Sequence, residues 1–202
     1  MKTPRELFGD IDIYLFDQIL KGRFVPGMKI LDAGCGGGRN LIYFLQNGFE
    51  VYGIDRSPES IAYVRELAQH FAPQLPAANF QVAAIEEPVF ADESFDALIS
   101  SAVLHFADDE AQFRQMLNAM WQQLKPGGLF FARLASSIGI ENLVQAIEGR
   151  RYLLPDGSQR FLVDEALLLE LTTHLEGEWV EPLKTTNVQN LRCMTTWVIR
   201  KR

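Results

Sequence analysis

The sequence predicts a doubly wound α/β fold, a mostly parallel β-sheet with helices on both faces. Three observations predict it. Short apolar runs alternate with helix-length segments through the first two thirds of the chain. Glycines gather directly after the first run, in "KILDAGCGGGRN". Two acidic residues, Asp32 and Asp55, close the first two runs. Strands that alternate with helices need crossover connections, and these cover both faces of a parallel sheet.

Each element has a local reason. "DIDIYLFDQILKGRF" places Ile11, Leu15, Ile19 and Leu20 near helical spacing and predicts a helix that stops at Gly22, so residues 1–24 form an N-terminal helical cap. "MKILDAG" is a buried strand, "RNLIYFLQNG" a helix ended by Gly48, and "FEVYGID" a second strand. "SPESIAYVRELAQHFA" opens a helix at Ser57, with Pro58 in the first position and Glu59 in the first turn. "ANFQVAA" and "SFDALISS" are the third and fourth strands, "DDEAQFRQMLNAMWQQLK" a long helix, and "GGLFFARLA" a fifth strand entered through Pro126, Gly127 and Gly128. Beyond Ser137 the rhythm changes. "IENLVQAIEG" predicts a helix and "RRYLLPDGSQRFLV" two extended runs joined by Pro155, Asp156 and Gly157, so residues 137–163 form an insertion over one end of the sheet. "DEALLLELTTHL" is a helix opening at Asp164, and the remaining residues supply two strands that pair as an antiparallel edge.

Composition bounds the function. A chain of 202 residues with 48% apolar and 22% charged residues fits one domain, 1–202, with a sizeable core. The net charge of -7 gives no general attraction to phosphate backbones or anionic lipid, so neither nucleic acid nor a membrane is the expected partner. Cys35 and Cys193 have no metal-ligand spacing, and no metal site is expected. A soluble, unprocessed cytoplasmic protein, monomer or homodimer, is the expectation.

Glycines before a helix start bare backbone N–H groups to a ligand. A dinucleotide fingerprint needs GxGxxG, as a nicotinamide-dependent oxidoreductase would. Here Gly34, Gly36 and Gly38 give GxGxG, and Arg39 stands at the third fingerprint position. Asp55 sits where a carboxylate accepts from two ribose hydroxyls. Asp32, beside the cradle, repels pyrophosphate and suits a ligand with an ammonium or sulfonium group.

"ILDAGCGGGRN", "VYGID", "SFDALISSAVLHF" and "LKPGGLFFARLA", in this order, resemble the successive motifs of class I S-adenosylmethionine-dependent methyltransferases. The resemblance implies a Rossmann-like seven-stranded sheet with an antiparallel last strand, and S-adenosyl-L-methionine as cofactor, leaving S-adenosyl-L-homocysteine as product. It places Gly34, Cys35 and Gly36 along the methionine part of the cofactor, with Asp32 at its amino group and Arg39 and Asn40 at the helix start. Asp55 takes the ribose hydroxyls, with Arg56 and Ser57 beside the adenine. The position of the family's adenine-binding acid falls on Ala84. Ile85 still packs on the ring, and the polar contact is either lost or moved to Glu86. Ser100, Ser101 and Ala102 come near the methyl group.

Methyl transfer needs alignment more than acid–base chemistry. Should the acceptor lose a proton, His105 is the candidate base, the alternative being a histidine that only caps a turn. Arg133 and Tyr14 are the candidate substrate residues, the alternatives being an ion pair and core packing. "SSAVLHF" carries no Asn or Asp followed by Pro-Pro-Tyr, which, with the acidic balance, favours a small-molecule acceptor. Arg150, Arg151, Tyr152 and Arg160 in the insertion suggest an anionic or aromatic one. A non-catalytic S-adenosylmethionine-binding protein that kept the fold is the alternative function.

Overall fold

A computed structural model describes residues 3–202, so the first two residues of the N-terminal cap lie outside it. The chain begins with α1 (Pro4–Phe8), a short helix closed by a Thr3–Glu6 capping box with Pro4 in its first turn. The T-x-x-E signal for it is present in the sequence, although a polar start was all that the apolar spacing predicted. Next come α2 (Ile13–Leu20), β1 (Lys29–Ala33), α3 (Ile42–Gln46), β2 (Glu50–Asp55) and α4 (Pro58–Phe71). Ser57 caps α4 by accepting from the Ser60 N–H. α3 starts later than the sequence pattern predicts, because two turns closed by Gly38 N–H to Cys35 O and Leu41 N–H to Gly38 O occupy the residues after the glycines.

β3 (Phe80–Val82), β4 (Phe95–Ser101), α5 (Glu110–Gln123) and β5 (Leu124–Ser136) complete the parallel part. The strand order is β3-β2-β1-β4-β5-β11-β10, with β10 at Lys184–Val188 and β11 at Arg192–Lys201; the short β9 (Gly177–Trp179) also pairs with β11. β11 is antiparallel to β5, β9 and β10, and it runs against the rest of the sheet. The expected antiparallel pair thus exists as β10–β11. However, β11 is built into the sheet beside β5 and only β10 forms the edge.

Successive residues of the central strands feed two cores. Ile30 of β1, Ala97 and Ile99 of β4 and Phe131 of β5 pack with α2, α3 and α4; Leu31, Leu98 and Phe130 pack with α5 and with α6 (Glu165–His174). A strand buried on both faces reads as a continuous apolar run, which is why these segments were recognisable. α6 is capped by Asp164 as the sequence predicts.

The insertion corrects one expectation. "IENLVQAIEG" is not a helix. Its first residues form turns, and Gln145–Glu148 is β6, which pairs with β7 (Arg151–Leu153), itself paired with β8 (Gln159–Phe161) in a separate three-stranded antiparallel sheet. The apolar residues sit at helical spacing, but Gly139 and Gly149, both with positive φ, bracket the segment, and cross-strand pairing with β7 outweighs local helix preference. Ala135, Leu154 and Leu162 form a small core beneath this sheet, anchoring it near the C-terminal end of β5.

Candidate functional site

The chain reverses its winding between β1 and β4, and in open α/β sheets a crevice forms there at the carboxyl ends of the strands. A cleft of about 290 Å³ occupies this place. Gly34 comes from the end of β1, Asp55 and Arg56 from β2, Ala83, Ile85 and Glu86 from the segment after β3, and Ala102 and Val103 from the end of β4. Phe106, Gln112 and Met116 close the far side.

The cradle is shaped by backbone conformation. Gly34 has φ +80°, its N–H and that of Cys35 donate to Ile54 O at 2.8 and 2.9 Å, and a Cβ on it would meet Val103 Cγ2 at 2.5 Å. Only glycine fits. Gly36 has φ +49° with open space where a Cβ would stand, and its N–H donates to Asp55 Oδ2 at 2.8 Å. The other Asp55 oxygen accepts from Ser57 N–H at 2.9 Å. Two backbone donors therefore fix the carboxylate, and each oxygen keeps a lone pair for a ligand hydroxyl.

Asp32 is buried in the middle of the sheet, paired in register with Gly53 and Ile99, and neither of its side-chain oxygens has a hydrogen-bond partner among the described residues. Burial pushes its carboxyl up to about 7; Arg39 works against that rise and Asp55 adds to it. A buried, unpartnered carboxyl near the Asp55 carboxylate is what a cationic ligand group would relieve. The residues thus fit a nucleoside that carries an amino-acid tail.

Several sequence-predicted residues take other roles. Cys35 contributes its backbone, while its thiol is buried in the core beside Gly53 and is pushed far up by burial, with Asp32 and Asp55 adding to the shift. Asn40 is buried and accepts from Asp12 N–H at 3.0 Å. Ser57 serves as the α4 cap and Asp55 donor, and Ala84 stands just outside the cleft that Ala83 and Ile85 line. Glu86 does line it, but its carboxylate already accepts from Arg56 Nη2 at 2.8 Å and Gln112 Nε2 at 2.7 Å. Ser100 is fully buried, and its hydroxyl has no partner among the described residues.

Asp12, which the sequence pattern did not single out, gathers Arg39, Ser101 and Arg133. Its side chain is fully buried at the start of α2, where Oδ1 caps Tyr14 N–H at 3.0 Å. Oδ2 accepts from Arg133 Nη1 at 2.9 Å and Ser101 Oγ at 3.2 Å, and lies 3.6 Å from Arg39 Nη2. Tyr14 lies with its ring 5.2 Å from the Arg133 guanidinium carbon, and its hydroxyl is 2.6 Å from Thr186 Oγ1 on β10. These contacts pin the N-terminal cap to the ends of β4 and β5. A polar cap residue before an apolar helix was the available signal; the long-range partners were not.

A second cavity, of about 500 Å³, shares Ala102 with the first. Ala102 has φ +63°, a conformation unusual for a residue with a side chain, and its N–H donates to Arg133 O at 2.7 Å. His105, Arg133, Leu154, Arg160, Arg192 and Met194 are among the lining residues. His105 Nδ1 accepts from Ala135 N–H at 3.2 Å, which assigns the hydrogen of the neutral ring to Nε2. Burial, with Arg160 adding to it, pushes its pKa down to about 4. The geometry therefore revises the expected base: Nδ1 is engaged, and the neutral ring offers an N–H donor.

A doubly wound sheet with this glycine cradle, a carboxylate closing β2 and an antiparallel β11 is the architecture of the class I methyltransferases. The comparisons with known proteins agree. A family model described as "Methyltransferase domain" matches residues 31–132, and the chain belongs to that methyltransferase family. An uncharacterized methyltransferase of Synechocystis is 32% identical over 105 residues, 52% of this chain and 46% of the relative. The mitochondrial ubiquinone biosynthesis O-methyltransferase of Rattus norvegicus is 35% identical over 142 residues, 64% of this chain and 39% of the relative. These matches span less than half the length of either curated relative. The crystal structure of a Burkholderia thailandensis 1,6-didemethyltoxoflavin-N1-methyltransferase, with 1,6-didemethyltoxoflavin and S-adenosylhomocysteine bound, superposes with TM-score 0.68 at 22% identity, covering 91% of this chain and 74% of that one, a likeness of fold. Among the described residues no helix is long and apolar enough to cross a membrane, and no cluster of His, Cys, Asp and Glu has the makings of a metal site.

Proposed function

We propose that this chain binds S-adenosylmethionine in the first cleft and transfers its methyl group to a small molecule in the second cavity. The observation that carries the reading is the shared wall at Ala102, which joins the cleft beside Gly34 and Asp55 to a separate pocket. The named relative in rat and the structural neighbour in Burkholderia, whose printed names give an O-methyl and an N-methyl transfer, support small-molecule chemistry in this fold. When bound, the cofactor supplies an activated methyl group on a sulfonium.

The chain's part is to bind and align. Asp55 holds the ribose hydroxyls, Asp32 faces the amino group, and Ala83, Ile85 and Met116 wall the base. The insertion at residues 137–163 covers the acceptor, and Arg133 forms part of its wall. His105 donates Nε2–H to the acceptor and orients it. Alignment of this kind is worth roughly 7 to 11 kcal/mol, and the proton that a hydroxyl or amine acceptor loses as the new bond to the methyl carbon forms and the sulfonium bond breaks passes to solvent water. Both cysteines are free and buried, which supports a reducing cytoplasmic setting.

Calorimetry with S-adenosylhomocysteine tests the first half: saturable binding is expected, and its absence would sink the reading. Asp55→Ala is expected to weaken that binding about 5- to 150-fold, the equivalent of the roughly 1 to 3 kcal/mol lost when buried polar partners go unsatisfied. An unchanged affinity would mean that the ribose sits elsewhere. Release of S-adenosylhomocysteine across a panel of hydroxylated and aminated small molecules tests the second half.

A further inference from the structure

We propose that the second cavity is an anion-selecting acceptor site, taking a small molecule with an apolar body and a carboxylate or phosphate group that Arg160 reads. The inference rests on the acceptor role given to this cavity above. Three guanidinium groups line it, from Arg133, Arg160 and Arg192, against one carboxylate, Asp156. Their partners leave positive charge over. Asp156 Oδ1 already accepts from Ser158 N–H and Oγ at 2.9 and 2.6 Å, and its other oxygen lies 3.6 Å from a half-exposed Arg192. Arg133 shares the single carboxylate of Asp12 with Arg39, and its buried Nε has no partner among the described residues.

Arg160 is the distinctive member. Two nearby arginines of the insertion are engaged: Arg150, in the turn before β7, with Asp164 at 3.0 Å and Glu110 at 3.5 Å, and Arg151 of β7 with Asp108 at 2.8 Å. Arg160 forms no ion pair with a carboxylate among the described residues. Its Nη1 donates to the Gln159 carbonyl of its own strand, and its guanidinium lies 4.8 Å from the centre of the Phe106 ring. Phe106 lines the cofactor cleft, so the cation stands where the two cavities meet. A guanidinium held over a ring face keeps its in-plane donors, and with Nη1 engaged the Nε and Nη2 groups of Arg160 form the edge that offers two parallel N–H donors, the geometry that matches a carboxylate or phosphate. Burial, with nearby Arg160 adding to it, keeps His105 neutral, so the imidazole adds a donor without a second charge. Ala135, Leu154, Val188 and Met194 supply the apolar remainder of the wall. An acceptor complementary to such a pocket is amphipathic, with its anion at Arg160.

The test uses the full chain saturated with S-adenosylhomocysteine, titrated calorimetrically with benzoate, phenyl phosphate and the neutral benzamide. At least one anion is expected to bind ten-fold or more tightly than benzamide, and which one identifies the group. Arg160→Gln is expected to remove that preference while S-adenosylhomocysteine affinity holds, and Arg150→Gln, whose side chain is paired elsewhere, to retain it. Equal binding of all three probes, binding of none, or an undiminished preference in Arg160→Gln would overturn the proposal. The same titrations on protein without S-adenosylhomocysteine separate the two ideas: anion preference without nucleoside binding would leave this site standing and remove the cofactor reading.

Discussion

Replacing Asp32 by asparagine keeps the shape of the side chain and removes its ionisation. The carboxyl is buried and has no hydrogen-bond partner among the described residues, and burial pushes its pKa up to about 7 from the ordinary 3.8. A carboxyl raised in this way retains a proton that the unfolded chain has already released. Its contribution to stability is present below pH 3.8 and is lost as the pH rises through about 7. The full difference corresponds to about 4 kcal/mol, of which about 3 kcal/mol falls between roughly pH 5 and pH 8. Urea unfolding of wild type and Asp32→Asn at those two pH values is the assay. The variant is expected to gain about 3 kcal/mol on wild type between them. Other carboxylates, such as Asp17, whose pKa the hydrogen bonds from Lys21 and Lys184 lower, titrate in both proteins and cancel. Saturating S-adenosylhomocysteine, whose amino group faces Asp32 in the proposed pose, is expected to flatten the wild-type slope. A wild type and variant that keep a constant difference across this range would refute the claim that burial raises the Asp32 carboxyl to about 7.

Other expectations follow from the same geometry. Gly34→Ala combines a left-handed backbone with a 2.5 Å approach to Val103, so a loss of about 2 to 4 kcal/mol in unfolding free energy is expected, together with loss of nucleoside binding. Asp12→Asn keeps the cap on Tyr14 N–H and strips the buried charge from Arg133 and Arg39; a loss of about 3 kcal/mol is expected, and Asp12→Ala is expected to cost about 1 kcal/mol more for the missing cap. If Asp12→Asn unfolds at the same urea concentration as wild type, the ionic cluster is not what holds the cap. Cys35 is buried with its thiol held protonated, so a disulfide exchange reagent is expected to label it only as fast as the fold opens. Rapid labelling at mild pH would show a reactive thiol instead.

Legibility followed the range of the interactions. The strands were readable because burial on both faces writes an unbroken apolar run, and the helix starts at Ser57 and Asp164 because caps are local. The segment "IENLVQAIEG" misled because its helical spacing is local while its partner, β7, is what makes it a strand. In the site, Gly34 and Asp55 were marked by motif and by position at strand ends, and the structure puts both in the cleft. Gln112 and Met116, one turn apart on α5, carried only a helical-face signal. Asp12 joins residues from β4, β5 and the glycine segment that no spacing relates.

The sequence by itself determined the doubly wound sheet, the glycine cradle and its two carboxylates, because these depend on periodicity, backbone freedom and residues adjacent in the chain. Tertiary structure alone decided which charged groups remain without a partner. Arg151 and Arg160 lie in one short sheet with Arg150 in its turn, and only neighbours from α5, the α6 cap and the loop before α5 neutralise Arg150 and Arg151 and leave Arg160 over Phe106. Charge compensation is a property of distances in space, and it fixes which cation faces the pocket.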